Sequence, residues 1–358
     1  MSGFAPVLNV LARILLGFGL MFLVPMAWAW ALDAPELRDV WLTGMLLTLA
    51  AGSLTLFLTS QSKRELQPRD GFLLANLVWS VLPVFAAVPL LLAIDGLSFT
   101  DAYFEAMSGL TATGSTVLSG LDNLPVSVNV WRCFLQLVGG LGIMLLVVAV
   151  LPMLGLGGVQ LYKAETPGPM KDARLTPRIA ETARGLWGIY FVFSAACLLS
   201  YRWVGMSWAD AFIHMCSTMG LGGSSSHDAS FGYWNSPGIE MVATVFMALS
   251  GISFARYFIV WRSRSGVSLI RDAEVRAYGF VLLVSILGLT WLLMAQGDFT
   301  DFFTTLRTAA FHVVSVATTT GYASADYALW PVFAPVWLMF LGSFVSCAGS
   351  TGGGIKMV

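Results

Sequence analysis

Apolar residues run along most of this chain in blocks that are long enough to cross a bilayer as helices. Such a crossing takes about 20 predominantly apolar residues. Short polar stretches separate the blocks, and several of them carry lysine and arginine. The hydrophobic pattern predicts membrane helices over residues 7–30, 40–59, 72–94, 130–154, 186–204, 239–261, 278–295 and 330–347.

Three shorter segments lie between these blocks, at residues 98–108, at residues 208–217, and in a stretch ending near residue 315. Each is too short to cross a membrane and is followed by small polar residues and glycine. A helix that stops halfway leaves backbone carbonyls without helical partners. Such backbone is tolerated at membrane depth only where protein buries it or where it lines a watery cavity. We therefore predict three re-entrant half-helices.

Gly114, Gly223 and Gly321 mark one unit that recurs three times, at separations of 109 and 98 residues. Self-similarity at a nearly fixed period indicates a repeated structural unit. An alanine, a polar residue and a serine precede each glycine by twelve, nine and six positions. These residues are Ala102, Ala211 and Ala309; Glu105, His214 and His312; and Ser108, Ser217 and Ser315.

The combined pattern predicts an all-α membrane protein. Two N-terminal spanning helices occupy residues 1–70, and three helix–re-entrant half-helix–helix pore repeats with filter loops follow them. The predicted repeats cover residues 71–184, 185–276 and 277–358.

Composition agrees with a membrane protein, because 57% of the residues are hydrophobic and only 11% are charged. Soluble domains carry about 25% charged residues. The net charge of −1 gives no basic footprint for nucleic acid. The cysteines lack the spacing of a metal site or a disulfide framework and are predicted to be buried small hydrophobic residues. They are Cys133, Cys197, Cys216 and Cys347.

The distribution of charge predicts a cytoplasmic N-terminus. With that orientation only four basic residues fall on the outer half, and the other fifteen of nineteen fall on the inner half. This bias follows the positive-inside rule. Thirteen of the twenty acids fall outside, where they would raise the local concentration of cations. The four outer basic residues are Arg38, Arg132, Arg202 and Arg307.

The glycine loops have the chemistry of a cation filter. Rings of backbone carbonyls replace the hydration shell of potassium in selectivity filters. Glycine adopts the required positive φ values without a Cβ clash, and each half-helix directs a C-terminal end of about −0.5 charge at the centre. The candidate ion-binding residues are Thr111, Thr113, Gly114, Thr218, Gly222, Gly223, Thr318, Thr319, Thr320 and Gly321.

A glycine-rich run near the end of the sequence allows two interpretations. It is either a segment that can change shape at low cost, or an ordinary helix C-cap followed by a cytoplasmic lysine. A phosphate loop is excluded, because Ile355 stands where that motif needs lysine. The candidate gating residues are Gly349, Ser350, Thr351, Gly352, Gly353, Gly354 and Lys356.

The sequence offers no catalytic residues. It contains neither a nucleophile–base pattern nor convergent metal ligands, so we do not expect an enzyme. His214 and His312 occupy the same position in two repeats. That coincidence indicates a shared packing or hydrogen-bonding role within the half-helices.

Residues Thr111-Ala112-Thr113-Gly114-Ser115, within the stretch 108–122, resemble the first filter of the Trk-type potassium uptake subunit. That subunit belongs to the Trk/Ktr/HKT superfamily. The resemblance extends over residues 139–143, 164–169, 175–183, 227–230, 316–322 and 347–354. In the second repeat this chain has Ser224 after the glycine, where the family usually has a bulky aromatic residue.

The resemblance implies a potassium uptake pore in the bacterial inner membrane, with potassium as the transported ion. It further implies that the glycine-rich run at residues 349–356 is an intramembrane gating loop beneath the filter. It also implies a homodimer in the lipid bilayer that binds a cytoplasmic nucleotide-binding regulatory ring. Family members have four repeats around one pore. Because only three are visible here, we expect either a longer natural protein or a partner that supplies the fourth.

Two other functional classes stay open on the sequence alone. One is an ion-coupled secondary transporter that moves potassium with sodium or protons, although such carriers more often show inverted repeats and intramembrane carboxylates. The other is an inactive fragment that needs a fourth repeat.

Overall fold

The helical architecture is given by a computed structural model that describes residues 4–61, 68–145, 179–297 and 301–356. Within these ranges the chain is helical and has no β-strand. The helices are α1 (Ala5–Met21), α2 (Leu23–Leu32), α3 (Pro35–Thr59), α4 (Pro68–Ala93), α5 (Phe99–Leu110), α6 (Val126–Leu145), α7 (Ile179–Trp203), α8 (Trp208–Gly220), α9 (Pro237–Ser250), α10 (Phe254–Ser263), α11 (Val267–Ile270), α12 (Ala273–Gln296), α13 (Phe302–Ala317) and α14 (Phe333–Phe344).

Five helices of the described part are long and apolar enough to cross a membrane, as a multi-pass membrane protein requires. They are Ala5–Leu32, Pro35–Thr59, Arg69–Ala93, Ala183–Trp203 and Ala273–Gln296. The predicted helix over residues 130–154 is described only as far as Leu145. The polar stretch that follows it, with the family-like residues 164–169 and 175–178, lies outside the described residues.

One predicted span is broken. The sequence indicated a continuous helix over residues 239–261, but α9 and α10 meet at an angle of 83°. The break falls at Gly251. Just before it, the Tyr278 hydroxyl donates to the Ala248 carbonyl at 3.0 Å, and the Tyr257 hydroxyl donates to the Leu249 carbonyl at 2.8 Å. Tyrosine hydroxyls thus hydrogen-bond the last turn of α9. Hydrophobic periodicity cannot register such a bend, because both halves are apolar.

The three predicted half-helices are α5, α8 and α13, with 12, 13 and 16 residues. Each begins at a side-chain cap that satisfies an otherwise unpaired backbone N–H. Ser98, Ser207 and Asp301 accept from the residue three positions further on. Each half-helix packs against the long helix before it and the helix after it: α5 on α4 and α6, α8 on α7 and α9, and α13 on α12 and α14.

The N-terminal helices are joined to α6 through an aromatic cluster. The rings of Phe22 and Trp131 stack with centroids 4.5 Å apart. Both indole N–H groups are satisfied, since Trp131 donates to the Ala86 carbonyl at 3.0 Å and Trp41 donates to the Ser127 hydroxyl at 2.9 Å. These fully buried rings fix α6 behind α5, where the first glycine loop begins.

Candidate functional site

Each half-helix ends in the same backbone turn. In all three copies the serine that lies six positions before the repeat glycine uses its backbone carbonyl as an acceptor. The donor is the backbone N–H of the residue just before that glycine, at 2.8–3.0 Å. We name the segments that follow loop 1 (residues 111–115), loop 2 (residues 220–224) and loop 3 (residues 318–322). The bonds are Thr113 to Ser108, Gly222 to Ser217 and Thr320 to Ser315.

The sign of φ alternates along each loop. It is positive at the glycine and at the residue two positions earlier, and negative between them. When the sign of φ is reversed at every second residue, successive backbone carbonyls point to the same side of the chain. In an ordinary extended strand, successive carbonyls point to opposite sides. The positive values are 53° and 76° at Ala112 and Gly114, 52° and 75° at Leu221 and Gly223, and 62° and 87° at Thr319 and Gly321.

The loops abut one another in chain order. A Cβ on Gly114 would collide with the Gly222 carbonyl, and a Cβ on Gly223 would collide with the Thr320 carbonyl. Loop 2 therefore lies between loops 1 and 3. Among the described residues, no atom lies within 4 Å of the corresponding position at Gly321, so none of them covers loop 3 on that side.

Loops 1 and 3 share a pair of threonines. The hydroxyls of Thr111 and Thr113 are 2.8 Å apart, and those of Thr318 and Thr320 are 2.7 Å apart. In each pair the first threonine also hydrogen-bonds the carbonyl four residues earlier. These bonds hold the first turn of each loop against the end of its half-helix.

Loop 2 is held differently, because Gly220 and Gly222 stand where loops 1 and 3 have threonine. The Gln136 amide on α6 donates to the Gly222 carbonyl at 3.2 Å and to the Ser224 hydroxyl at 2.7 Å. The candidate Thr218 lies within α8, fully buried, with its hydroxyl 2.8 Å from that of Tyr201. Its side chain does not reach the loop surface. Gln136 was missed by the sequence analysis, since nothing local marks it.

The glycine-rich run lies against the ends of two half-helices. We name residues 347–356 the glycine segment. Thr351 donates to the Met219 carbonyl of α8 at 3.1 Å, and the Gly353 N–H donates to the Thr319 hydroxyl of loop 3 at 2.7 Å. Lys356 Nζ donates to the Gly352 carbonyl. Ser350 and Thr351 are 3% exposed, so the segment is packed inside the protein at these residues.

The same segment docks in the break between α9 and α10. The Cys347 N–H donates to the Gly251 carbonyl at 3.1 Å, and the Phe254 N–H donates to the Gly349 carbonyl at 3.2 Å. Glu274 of α12 accepts from the Ala348 N–H at 2.6 Å. The bend that the sequence did not predict therefore provides backbone partners for the glycine segment.

A histidine joins the chain segments that leave loops 1 and 2, and we name it together with its partners the outer clasp because it lies beyond the ends of these loops. His227 Nδ1 hydrogen-bonds Asp122, and its Nε2 is 3.4 Å from the Asp210 carboxylate. The imidazole stacks on Tyr233 with ring centroids 3.5 Å apart. Asp228 reinforces this outer clasp, because its carboxylate accepts from two backbone N–H groups at residues 120 and 121.

The outer clasp shifts two pKa values. Burial alone would lower the pKa of His227, but its hydrogen bonds and charge interactions with Asp210 and Asp122 outweigh burial and raise it. The hydrogen bond from His227 lowers the pKa of Asp122. Both shifts favour the charged form of each partner.

We expect the outer clasp to stabilise the fold in a pH-dependent way. Because the pKa of His227 is raised, its contribution is fully present below the unfolded value of about 6.5 and is lost as pH rises through the folded value. The unfolding temperature of purified protein should fall in His227→Gln, with the largest difference from wild type near pH 6. Asp122 titrates well below this window. A difference that is constant from about pH 5 to pH 9 would contradict the assignment.

No group of three or more histidine, cysteine or acidic side chains is arranged to hold a metal ion in the described ranges. The four cysteines are free and buried, as predicted.

The sequence model of the TrkH family, described as cation transport protein, matches residues 38–358. The Trk system potassium uptake protein TrkH of Halomonas elongata is 42% identical over 354 residues, which are 98% of this chain and 73% of that protein. The protein of the same name from Escherichia coli K12 is 43% identical over 311 residues, covering 87% of this chain and 64% of that protein.

A crystal structure of the potassium transporter TrkH from Vibrio parahaemolyticus superposes with a TM-score of 0.88 at 37% identity, covering 99% of this chain and 73% of that one. These matches confirm the family predicted from the loop sequences. They also confirm that the chain is not an enzyme, since the family is one of transport proteins. The chain belongs to the TrkH family of cation transport proteins.

Proposed function

We propose that this chain carries potassium into the cell through a channel-like pore whose selectivity filter includes loops 1, 2 and 3. The observation that carries the proposal is the alternation of φ signs in three abutting loops, each at the C-terminal end of a half-helix. In this reading residues 1–70 are an N-terminal helix pair, and residues 71–184, 185–276 and 277–358 are successive pore repeats.

The electrostatics of the loops favour a monovalent cation. The half-helix ends direct partial negative charge at the loops, and carbonyl and hydroxyl oxygens are available to replace water around the ion. None of the three loops contains a carboxylate. Dipoles without a full charge can hold a potassium ion loosely enough to release it to the next site.

We assign the gate to the glycine segment. Its hydrogen bonds to Met219 and Thr319 lie at the ends of α8 and α13, so it contacts the inner ends of loops 2 and 3. Small residues let this backbone rearrange with little side-chain cost. The bond from Lys356 to the Gly352 carbonyl ties one turn of the segment to itself.

The pairing of buried acids argues against an ion-coupled carrier. Glu105 is paired with Arg132, and Glu240 is paired with Arg307, at 3.2 and 3.1 Å. A carboxylate paired with an arginine offers no net negative charge to a coupling sodium ion. The excess of basic residues on one side supports an inner-membrane location with a cytoplasmic N-terminus. A homodimer and a cytoplasmic nucleotide-binding ring remain part of the proposal through the family resemblance.

Rubidium influx tests the function directly. The complete transporter, reconstituted in vesicles with an inward rubidium gradient, should accumulate the radiolabelled ion without any added sodium or proton gradient. Potassium should compete with rubidium, and sodium should compete weakly. Accumulation that depends on an imposed proton or sodium gradient would favour a coupled carrier, and no accumulation would contradict the proposal.

We expect serine at the loop glycines to weaken discrimination of potassium over sodium. A side chain on Gly114 meets the Gly222 carbonyl, whereas one at Gly321 meets no atom and only strains a positive φ. Gly114→Ser should therefore lower the rubidium-to-sodium uptake ratio about tenfold relative to wild type. Gly321→Ser should lower the same ratio less. Gly188→Ser is the control, since that exposed helix position has free space. Unchanged ratios in both loop variants would contradict the assignment.

We expect the glycine segment to limit flux without setting ion preference. Deleting Gly352–Gly354 removes the contact with Thr319 and should raise rubidium influx at an unchanged rubidium-to-sodium ratio. Thr351→Val, which loses only the bond to the Met219 carbonyl, should give a smaller rise. Influx equal to wild type in both variants would mean that the segment is only a helix end.

A further inference from the structure

The polar residue nine positions before each loop glycine fastens the chain that leaves the loop. In loop 1 Glu105 Oε1 accepts from the Thr116 hydroxyl and from the Val117 N–H at 2.7 Å. In the second copy His214 Nε2 is 2.9 Å from the Ser225 hydroxyl. In the third, His312 Nε2 is 3.1 Å from the Ala325 carbonyl and 3.4 Å from the Ser324 and Ala325 N–H groups. The shared hydrogen-bonding role that we expected for His214 and His312 is therefore also the role of Glu105.

His214 acts as a neutral acceptor. In both histidines, Nδ1 lies 2.8 Å from the carbonyl four residues earlier in its own half-helix. A carbonyl can only accept, so Nδ1 carries the proton, and Nε2 of His214 is left to accept from the Ser225 hydroxyl. The second copy therefore needs no charge at this position.

The first copy uses a charge, and an arginine neutralises it. Arg132 of α6 lies 3.2 Å from Glu105, and the two side chains are only 2% and 3% exposed. The guanidinium also donates to the Thr116 hydroxyl at 3.0 Å and to the Ser225 carbonyl at 3.4 Å. Its remaining bond goes to Asn129 on the same helix. One side chain therefore bridges the exits of loops 1 and 2.

Stability alone does not account for this pair. Replacing a buried ion pair by well-packed apolar residues is often neutral or stabilising, because desolvation offsets the attraction between the charges. What apolar residues cannot supply is the set of directed bonds to Thr116, Val117 and Ser225. The forked guanidinium suits two acceptors in different directions, which a single ammonium does not.

We propose that Glu105 and Arg132 are positioning residues for ion discrimination, because they fix the spacing between loops 1 and 2 from behind the filter. The inference rests on the proposed function. Loops 1 and 2 also contact each other directly, where Gly114 lies against the Gly222 carbonyl. A filter discriminates through the number and arrangement of its oxygens, so a shift of loop 1 relative to loop 2 changes the ratio of ions admitted.

The test uses two variants that avoid an unpaired buried charge. Glu105→Leu/Arg132→Met removes the pair and all its directed bonds. Arg132→Lys keeps the charge beside Glu105 but loses the fork that joins Thr116 to Ser225. The control Arg256→Gln/Asp272→Asn neutralises an ion pair of 2.6 Å outside loops 1 and 2 and their exits, and it leaves a polar cap for α12. For each, membrane abundance, unfolding temperature and the rubidium-to-sodium uptake ratio are measured in the complete transporter.

We expect both pore variants to reach the membrane in wild-type amounts with a ratio lowered about tenfold, the factor of 1.4 kcal/mol. The control should keep the wild-type ratio. A stable Leu/Met variant with an unchanged ratio overturns the inference. If that variant does not accumulate, the same criterion applies to Arg132→Lys. Wild-type protein that takes up no rubidium contradicts the proposed function instead, so the two failures are distinguishable.

Discussion

The structure depends on the way in which half-helices are ended inside a membrane protein. A helix that stops at membrane depth exposes carbonyls that lipid cannot satisfy, at several kcal/mol for each group. Here the serine carbonyls Ser108, Ser217 and Ser315 accept from the loops that follow, and neighbouring loops cover one another. Each half-helix also packs against the helices before and after it, so these irregular ends are held between packed helices.

The broken helix and the glycine segment solve the same problem on the other side of the loops. The bend at Gly251 frees a carbonyl, which Cys347 N–H satisfies, and the Gly349 carbonyl in turn accepts from Phe254. Irregular backbone in one segment is thus satisfied by irregular backbone in another. Such mutual dependence makes the glycine segment part of the interior, although it is made of small and polar residues.

The buried charges beside loop 1 compensate each other. Glu105 is matched by Arg132, and the remaining bonds of both side chains go to loop exits or to Asn129. At the surface, the acids around His227 are exposed enough to titrate, whereas the histidines within α8 and α13 are buried and hydrogen-bonded at both nitrogens. Residues of one type therefore have different roles according to depth.

The sequence by itself determined the membrane class, the three half-helices with their glycines, and the family, because apolar length and repeated spacing are local properties of the chain. The comparisons confirmed the family. Only the tertiary structure decided that the chain bends between α9 and α10, that Gln136 reaches loop 2 and Arg132 its exit, and that Thr218 turns into the core toward Tyr201. These features join residues 17 to 93 positions apart. Hydrophobic periodicity contains no information on which distant donor meets which carbonyl, since that pairing is fixed by helix packing.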